Sequence, residues 1–132
     1  MAGGPVSWKS ARQHCVTLSS TESEYYALTN AAKEASWLRL LLLDLGYSQS
    51  DIIPTLLYSD NILSLQLAEN PEHHQRSKHI DIQWHFIRNE VRDRKVVLSH
   101  VGTEFITANG LTKVLGTVKH RCFIELLGME SF

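Results

Sequence analysis

Four acidic residues raise the chemical question. Glu22, Glu24 and Glu34 fall within TLSSTESEYYALTNAAKEASWLRLLLLDLG, residues 17–46, and Asp60 closes the apolar run LLYSD. A carboxylate near the start of a helix is ordinary, because the positive end of the helix dipole favours it. An ionisable residue at the C-terminal end of a buried strand is less ordinary, since open α/β sheets place their ligand crevices there. Glu24 beside Asp60 would form a hard-oxygen site suited to Mg2+ or Mn2+. Two such ions, roughly 3.5–4 Å apart, clamp the attacking and leaving oxygens in phosphodiester hydrolysis. The bland alternatives are a solvated helix carboxylate for Glu24 and an N-cap for Asp60, heading a helix that begins at Asn61.

The elements that must position these groups follow from patterning. PVSWKS and HCVTLSS read as two short strands joined at ARQ. Ser19, Ser20 or Thr21 then caps a long helix that stops at Gly46. Its apolar stripe is expected at Leu28, Ala31, Ala35, Leu38, Leu42 and Leu45. PTLLYSD is a buried strand, NILSLQLAEN a short helix, and HIDIQWHFIRNEVRD a third helix after the loop PEHHQRS. KVVLSHV is another strand, EFITANGLTKVLG a helical candidate weakened by Gly110, and VKHRCFIELLG a last helix. This order predicts a mixed α/β sheet flanked by helices.

Composition bounds the class. The 132 residues, 43% hydrophobic and 20% charged, suit a single globular domain over 1–132. A net charge of -1 gives no overall field toward nucleic acid or membrane, so any basic site is local. Cys15 and Cys122 match no metal or redox spacing and read as free thiols of an intracellular chain, cytoplasmic or nuclear and not secreted. WLRLLLLDLG is too short to cross a bilayer, so no membrane partner is expected.

The segments SSTESEYYALTNAAKEASWL, LYSDNILSLQLAENP, RSKHIDIQWHFIRNEV and GLTK, in that order between Gly3 and Gly128, resemble the ribonuclease H domain that ends copia-type retrotransposon polyproteins. The resemblance implies a five-stranded mixed sheet, three antiparallel strands followed by two parallel ones. It also implies hydrolysis of the RNA strand of RNA–DNA hybrids by four acidic residues and two magnesium ions. The family's helix glutamate falls on Glu24, in EYYA, which leaves Glu22 as a solvated helix-start residue. Its strand-end aspartate falls on Asp60, in SDN.

Two partners depart from the family pattern. The family's first aspartate lies on a strand before the GGPVSW segment, so the chain is expected to be an N-terminally truncated copy lacking that central strand. The fourth position falls on Asn109, in ANGLTK, which offers a carbonyl oxygen but neither a negative charge nor a base. Weak Mg2+ or Mn2+ binding and impaired or absent cleavage are therefore expected. The missing strand would leave open sheet edges that invite self-association or strand donation by another chain.

Arg88, Arg92 and Lys95 are expected to share one helical face, either as a solvated surface paired with Glu90 and Asp93 or as a phosphate-tracking stripe for the hybrid. His73, His74, His79 and His85 fit no zinc spacing. Trp8, Trp37 and Trp84 suit core positions better than stacking platforms. The competing readings are an impaired ribonuclease H-like domain, a non-catalytic nucleic-acid-binding module, and a strand-mediated interaction protein.

Overall fold

The computed structural model describes residues 4–12, 19–69 and 78–129, and within 78–84 the backbone alone. The fold is α/β, with four helices and one two-stranded parallel sheet among the described residues. The chain divides into two compact units, Thr17–Gly102 and the combination of Met1–Val16 with Thr103–Phe132.

The first of these begins with α1 (Ser20–Asp44). Ser19 is its N-cap, and the Ser19 hydroxyl accepts the Glu22 N–H at 3.2 Å. The helix closes at Gly46, whose φ of +94° lets the Gly46 and Tyr47 N–H groups reach the Leu43 and Leu42 carbonyls. This is the Schellman ending, which favours glycine because its left-handed residue has no Cβ to clash. Strand β1 (Thr55–Ser59) follows, then α2 (Ile62–Glu69), α3 (Lys78–Arg92) and β2 (Val96–His100). β1 and β2 pair in parallel, Thr55 opposite Val96 and Ser59 opposite His100. Parallel neighbours need a crossover, and here α2 and α3 supply it.

The core draws on four of this unit's five elements: Tyr25, Leu28, Ala32 and Ala35 from α1, Leu65 and Ala68 from α2, Ile87 from α3 and Val96 from β2. Leu57 and Leu98 join it from the inward face of the sheet. The outward face is bare, with Leu56, Tyr58 and Val97 exposed.

Several expectations are corrected. Residues 5–10 form no strand, and Val6 and Trp8 are exposed, so the expected N-terminal hairpin loses its first arm. Of its second arm, residues 14–20, residues 14–18 lie outside the described residues, while Ser19 and Ser20 cap and begin α1. The expected mixed sheet is thus a parallel pair among the described residues, and the antiparallel part has no counterpart there. The buried stripe of α1 runs through Tyr25, Leu28, Thr29, Ala32, Ala35 and Arg39, while Ala31 and Leu45 face solvent. Arg39 displaces the expected stripe because its guanidinium turns inward and donates to the Ile53 carbonyl at 2.7 Å and the Ile52 carbonyl at 3.4 Å. Trp37 is exposed as well, and the side chain of Trp84 lies outside the described residues.

In the other unit the expected helix over 104–116 is replaced by two 3-10 turns, Thr103–Phe105 and Thr107–Leu111. Helix α4 (Thr117–Leu126) follows and ends at Gly128 with the same motif as α1. None of the described residues of this unit is buried. The Phe123 ring lies so close over Gly110 that a Cβ at that position would overlap it.

Candidate active site

Glu24 stands early in α1 and Asp60 directly follows β1, at the carboxyl end of the parallel pair. The carboxyl of Glu24 is held above the usual range for a glutamate, first by partial removal from water and then by the negative charge of Asp60. The residue as a whole is exposed, so its removal from water is only partial. No described residue gives a hydrogen bond or an ion pair to either carboxylate. Two repelling anions with no counter-charge among the described residues are what a cation would relieve. Glu34 lies about 15 Å further along the axis of α1 and cannot join them.

The bland role considered for Asp60 belongs to its neighbour. Asn61 caps α2: its Oδ1 accepts the Ser64 N–H at 3.0 Å, and the Ser64 hydroxyl donates to the Asn61 carbonyl at 2.8 Å. Ser59 fixes the junction from behind, its hydroxyl accepting the Asn61 N–H at 3.2 Å. Ser59 and Ser64 are both buried. The strand-to-helix turn is therefore tied down by 59, 61 and 64, and the Asp60 side chain is left out of those bonds. Asparagine ranks with aspartate as an N-cap, so SDN carried this signal at position 61.

Asn109 is occupied otherwise. Its Nδ2 donates to the Thr103 carbonyl at 2.9 Å, its Oδ1 faces the Lys113 ammonium at 3.4 Å, and its backbone carbonyl accepts from the Thr112 hydroxyl at 3.3 Å. The amide closes the loop between the two 3-10 turns and presents its oxygen to a cationic side chain.

The three basic residues are not one stripe. Arg88 spans from α3 to α2, its Nε and Nη2 donating to the Leu67 carbonyl at 3.3 and 3.1 Å. Its charge also reaches the buried Tyr25, whose hydroxyl is pushed well up by burial and drawn partly back by Arg88. Arg92 is exposed and lies 3.4 Å from Asp93. Lys95 stands beyond the end of α3, not on its face. The chain turns at Arg94, with φ of 54°, and Lys95 comes back to the buried Glu90 at 3.2 Å and to Asp93 at 3.8 Å. Glu90 also accepts the hydroxyl of Ser36, which joins α1 to α3.

Over 130 residues, 98% of this chain, the sequence is 39% identical to part of the retrovirus-related Pol polyprotein from transposon TNT 1-94 of Nicotiana tabacum. It is 39% identical over 125 residues to part of the Pol polyprotein from transposon RE2 of Arabidopsis thaliana, and 38% identical over 125 residues to part of that from transposon RE1 of the same plant. The chain is related to transposon Pol polyproteins. It spans 10% of the first of these relatives and 8% of each of the other two. No family model and no solved structure matches it.

Within this Pol-related chain, no cluster of three or more His, Cys, Asp or Glu side chains able to hold a metal exists among the described residues. Glu24 and Asp60 thus stand as a pair. That donor set, two anionic oxygens in a partly desolvated spot, fits one hard divalent cation held weakly. His73 and His74 lie outside the described residues, as does the side chain of His79, and His85 is exposed. No helix among the described residues of the Pol-related chain is long and apolar enough to cross a membrane.

Proposed function

We propose that this chain is the ribonuclease H-like segment of a copia-type transposon polyprotein, with Glu24 and Asp60 forming an incomplete metal-dependent nuclease site. The observation that carries the reading is the convergence of these two carboxylates, one on a helix and one at a strand end, with no other partner among the described residues. It is supported by the similarity to Pol polyproteins over nearly the whole chain. A bound Mg2+ or Mn2+ would supply Lewis-acid polarisation of a phosphoryl oxygen.

The chain's own residues supply the rest. Asp60 and Glu24 offer anionic oxygens, and Glu24 holds its proton more tightly than an isolated glutamate, so a cation must compete with that proton. Asn109 brings no charge and no base, and Lys113 already faces its oxygen. Arg92 is the member of the basic set with its side chain most open to a phosphate, at 73% exposure. Hydrolysis of the RNA strand of an RNA–DNA hybrid is accordingly slow or lost.

The test is cleavage of a labelled RNA–DNA hybrid with Mg2+ or Mn2+, alongside binding of the same hybrid at rising salt. Slow metal-dependent cleavage that disappears in Glu24→Gln and rises in Asn109→Asp supports a damaged nuclease site. Salt-sensitive binding without cleavage in any variant sinks the catalytic reading and leaves a nucleic-acid-binding module. A second reading, strand-mediated interaction, is favoured by one observation: among the described residues β1 and β2 each pair on one side only, and Leu56, Tyr58 and Val97 lie bare on the sheet.

A further inference from the structure

Helix α1 carries a second apolar face on its solvent side. Trp37 is 56%, Leu40 61% and Leu41 39% exposed. With Lys33 and Asp44 they make a row, Lys33, Trp37, Leu40, Asp44, spaced by four, three and four residues. At 100° per residue these four stay within about 60° of arc on one side of the helix. Spacing of this kind is that of a coiled-coil seam, in which side chains of one helix insert between those of another.

The charges at the two ends of the row say what fits it. Lys33 is exposed, its ammonium 5.9 Å from the centre of the Phe86 ring, and no ion pair engages it among the described residues. Asp44 is exposed and likewise has no ion pair or hydrogen bond there. A second copy of α1 laid parallel would set lysine against lysine and aspartate against aspartate. Laid antiparallel about a point midway between Leu38 and Arg39, it would set Lys33 against the partner's Asp44 and Trp37 against the partner's Leu40. Each contact then occurs twice, as a two-fold axis requires. One arrangement covers the apolar row and neutralises both ends.

We propose that this chain self-associates as an antiparallel dimer through the Lys33–Trp37–Leu40–Asp44 row of α1. The occupant is a second copy of the chain, selected by the opposite charges at the two ends. The row is short against the roughly 800 Å² per partner of a standard interface, so the dimer is weak, with a dissociation constant in the micromolar range.

The test is sedimentation equilibrium of the full chain over a range of concentrations, with two charge reversals, Lys33→Glu and Asp44→Lys, and one neutral change, Leu40→Gln. All three positions are exposed, so the variants are expected to keep the circular dichroism and melting of the parent. The parent is expected to pass from monomer to dimer. Each reversal alone is expected to weaken association at least tenfold, because it sets like charges against each other twice. Mixing the two reversal variants is expected to restore a dimer. At one end the glutamate introduced in one chain then meets the lysine introduced in the other, and the opposite end keeps its original lysine–aspartate pair. Leu40→Gln is expected to weaken association at least tenfold with both charges in place. A parent that stays monomeric at every concentration overturns the proposal. So does a dimer indifferent to the reversals or to Leu40→Gln, or a mixture that remains monomeric.

Discussion

Glu24 and Asp60 repel one another across the gap between the start of α1 and the end of β1, and the repulsion raises the proton affinity of Glu24 beyond what desolvation alone does. The sign of the consequence is fixed. A carboxyl whose folded pKa exceeds its unfolded value takes up a proton on folding within that window, so stability falls as pH rises from 4.5 toward the raised value and stays lowered above it. Glu24→Gln is therefore expected to stabilise the protein at pH 7, by less than about 1 kcal/mol given the exposure of the residue. Urea denaturation of both proteins at pH 4 and pH 7 checks this: the gain should appear at pH 7 and shrink at pH 4. Added Mg2+ should raise the melting temperature of the parent and leave that of Asp60→Asn unchanged.

Asn61 is expected to be worth more to stability than its acidic neighbour. Asn61→Ala removes the acceptor for the Ser64 N–H and should cost about 1 kcal/mol, whereas Asp60→Ala removes no hydrogen bond seen in the structure. Denaturation midpoints of the two variants, measured side by side, should separate accordingly.

Among the described residues three helices end in the same motif, with Gly46, Arg94 and Gly128 at the left-handed position. Arg94 alone carries a Cβ there, at a cost of about 1 kcal/mol relative to glycine. Arg94→Gly should raise the midpoint by a corresponding amount, and an unchanged or lowered midpoint would mean that the Arg94 side chain offsets the strain through its own contacts.

Glu90 is a buried acid serving two donors, the Ser36 hydroxyl and the Lys95 ammonium. Glu90→Ala should destabilise by roughly 2–3 kcal/mol, because it opens a gap between α1 and α3 and strands a partly buried hydroxyl. Ser36→Ala leaves Glu90 its Lys95 partner, so it should cost less. Thermal melts of the two single variants test the order.

Gly110 is required by the Phe123 ring. Gly110→Ala should displace that ring and loosen the α4 unit, and Phe123→Leu in the same chain should recover part of the loss. Hydrogen exchange across residues 117–126 reports the difference.

What could be read from the chain alone was mostly local chemistry. The Ser19 cap, the Gly46 stop, both parallel strands and α2 through α4 follow from residues adjacent to them in sequence. Asp60 could be singled out because it closes an apolar strand, whereas Glu24 is distinguished from Glu22 only by the resemblance of EYYA to the ribonuclease H pattern. The misreadings concern partners far along the chain. Arg39 is not part of the expected apolar stripe, yet it is buried because the Ile52 and Ile53 carbonyls take its charge, and Trp37 looked like core although it stands more than half exposed. Lys95 fitted the periodicity of α3, but the left-handed turn at Arg94 breaks that periodicity before Lys95 is reached.

The parallel pairing of β1 with β2 also orders events in time. Thr55 finds its partner at Val96, so on the ribosome β1 emerges before the strand it pairs with among the described residues, and both crossover helices must follow first. At about 5–20 residues per second that interval is on the order of a few seconds. During it the backbone groups of β1 and the side chains of Leu56, Leu57 and Tyr58 are open to whatever else is nearby. Nascent chains of this protein should therefore be early clients of ribosome-bound chaperones, and release from them should coincide with the appearance of residues 96–100.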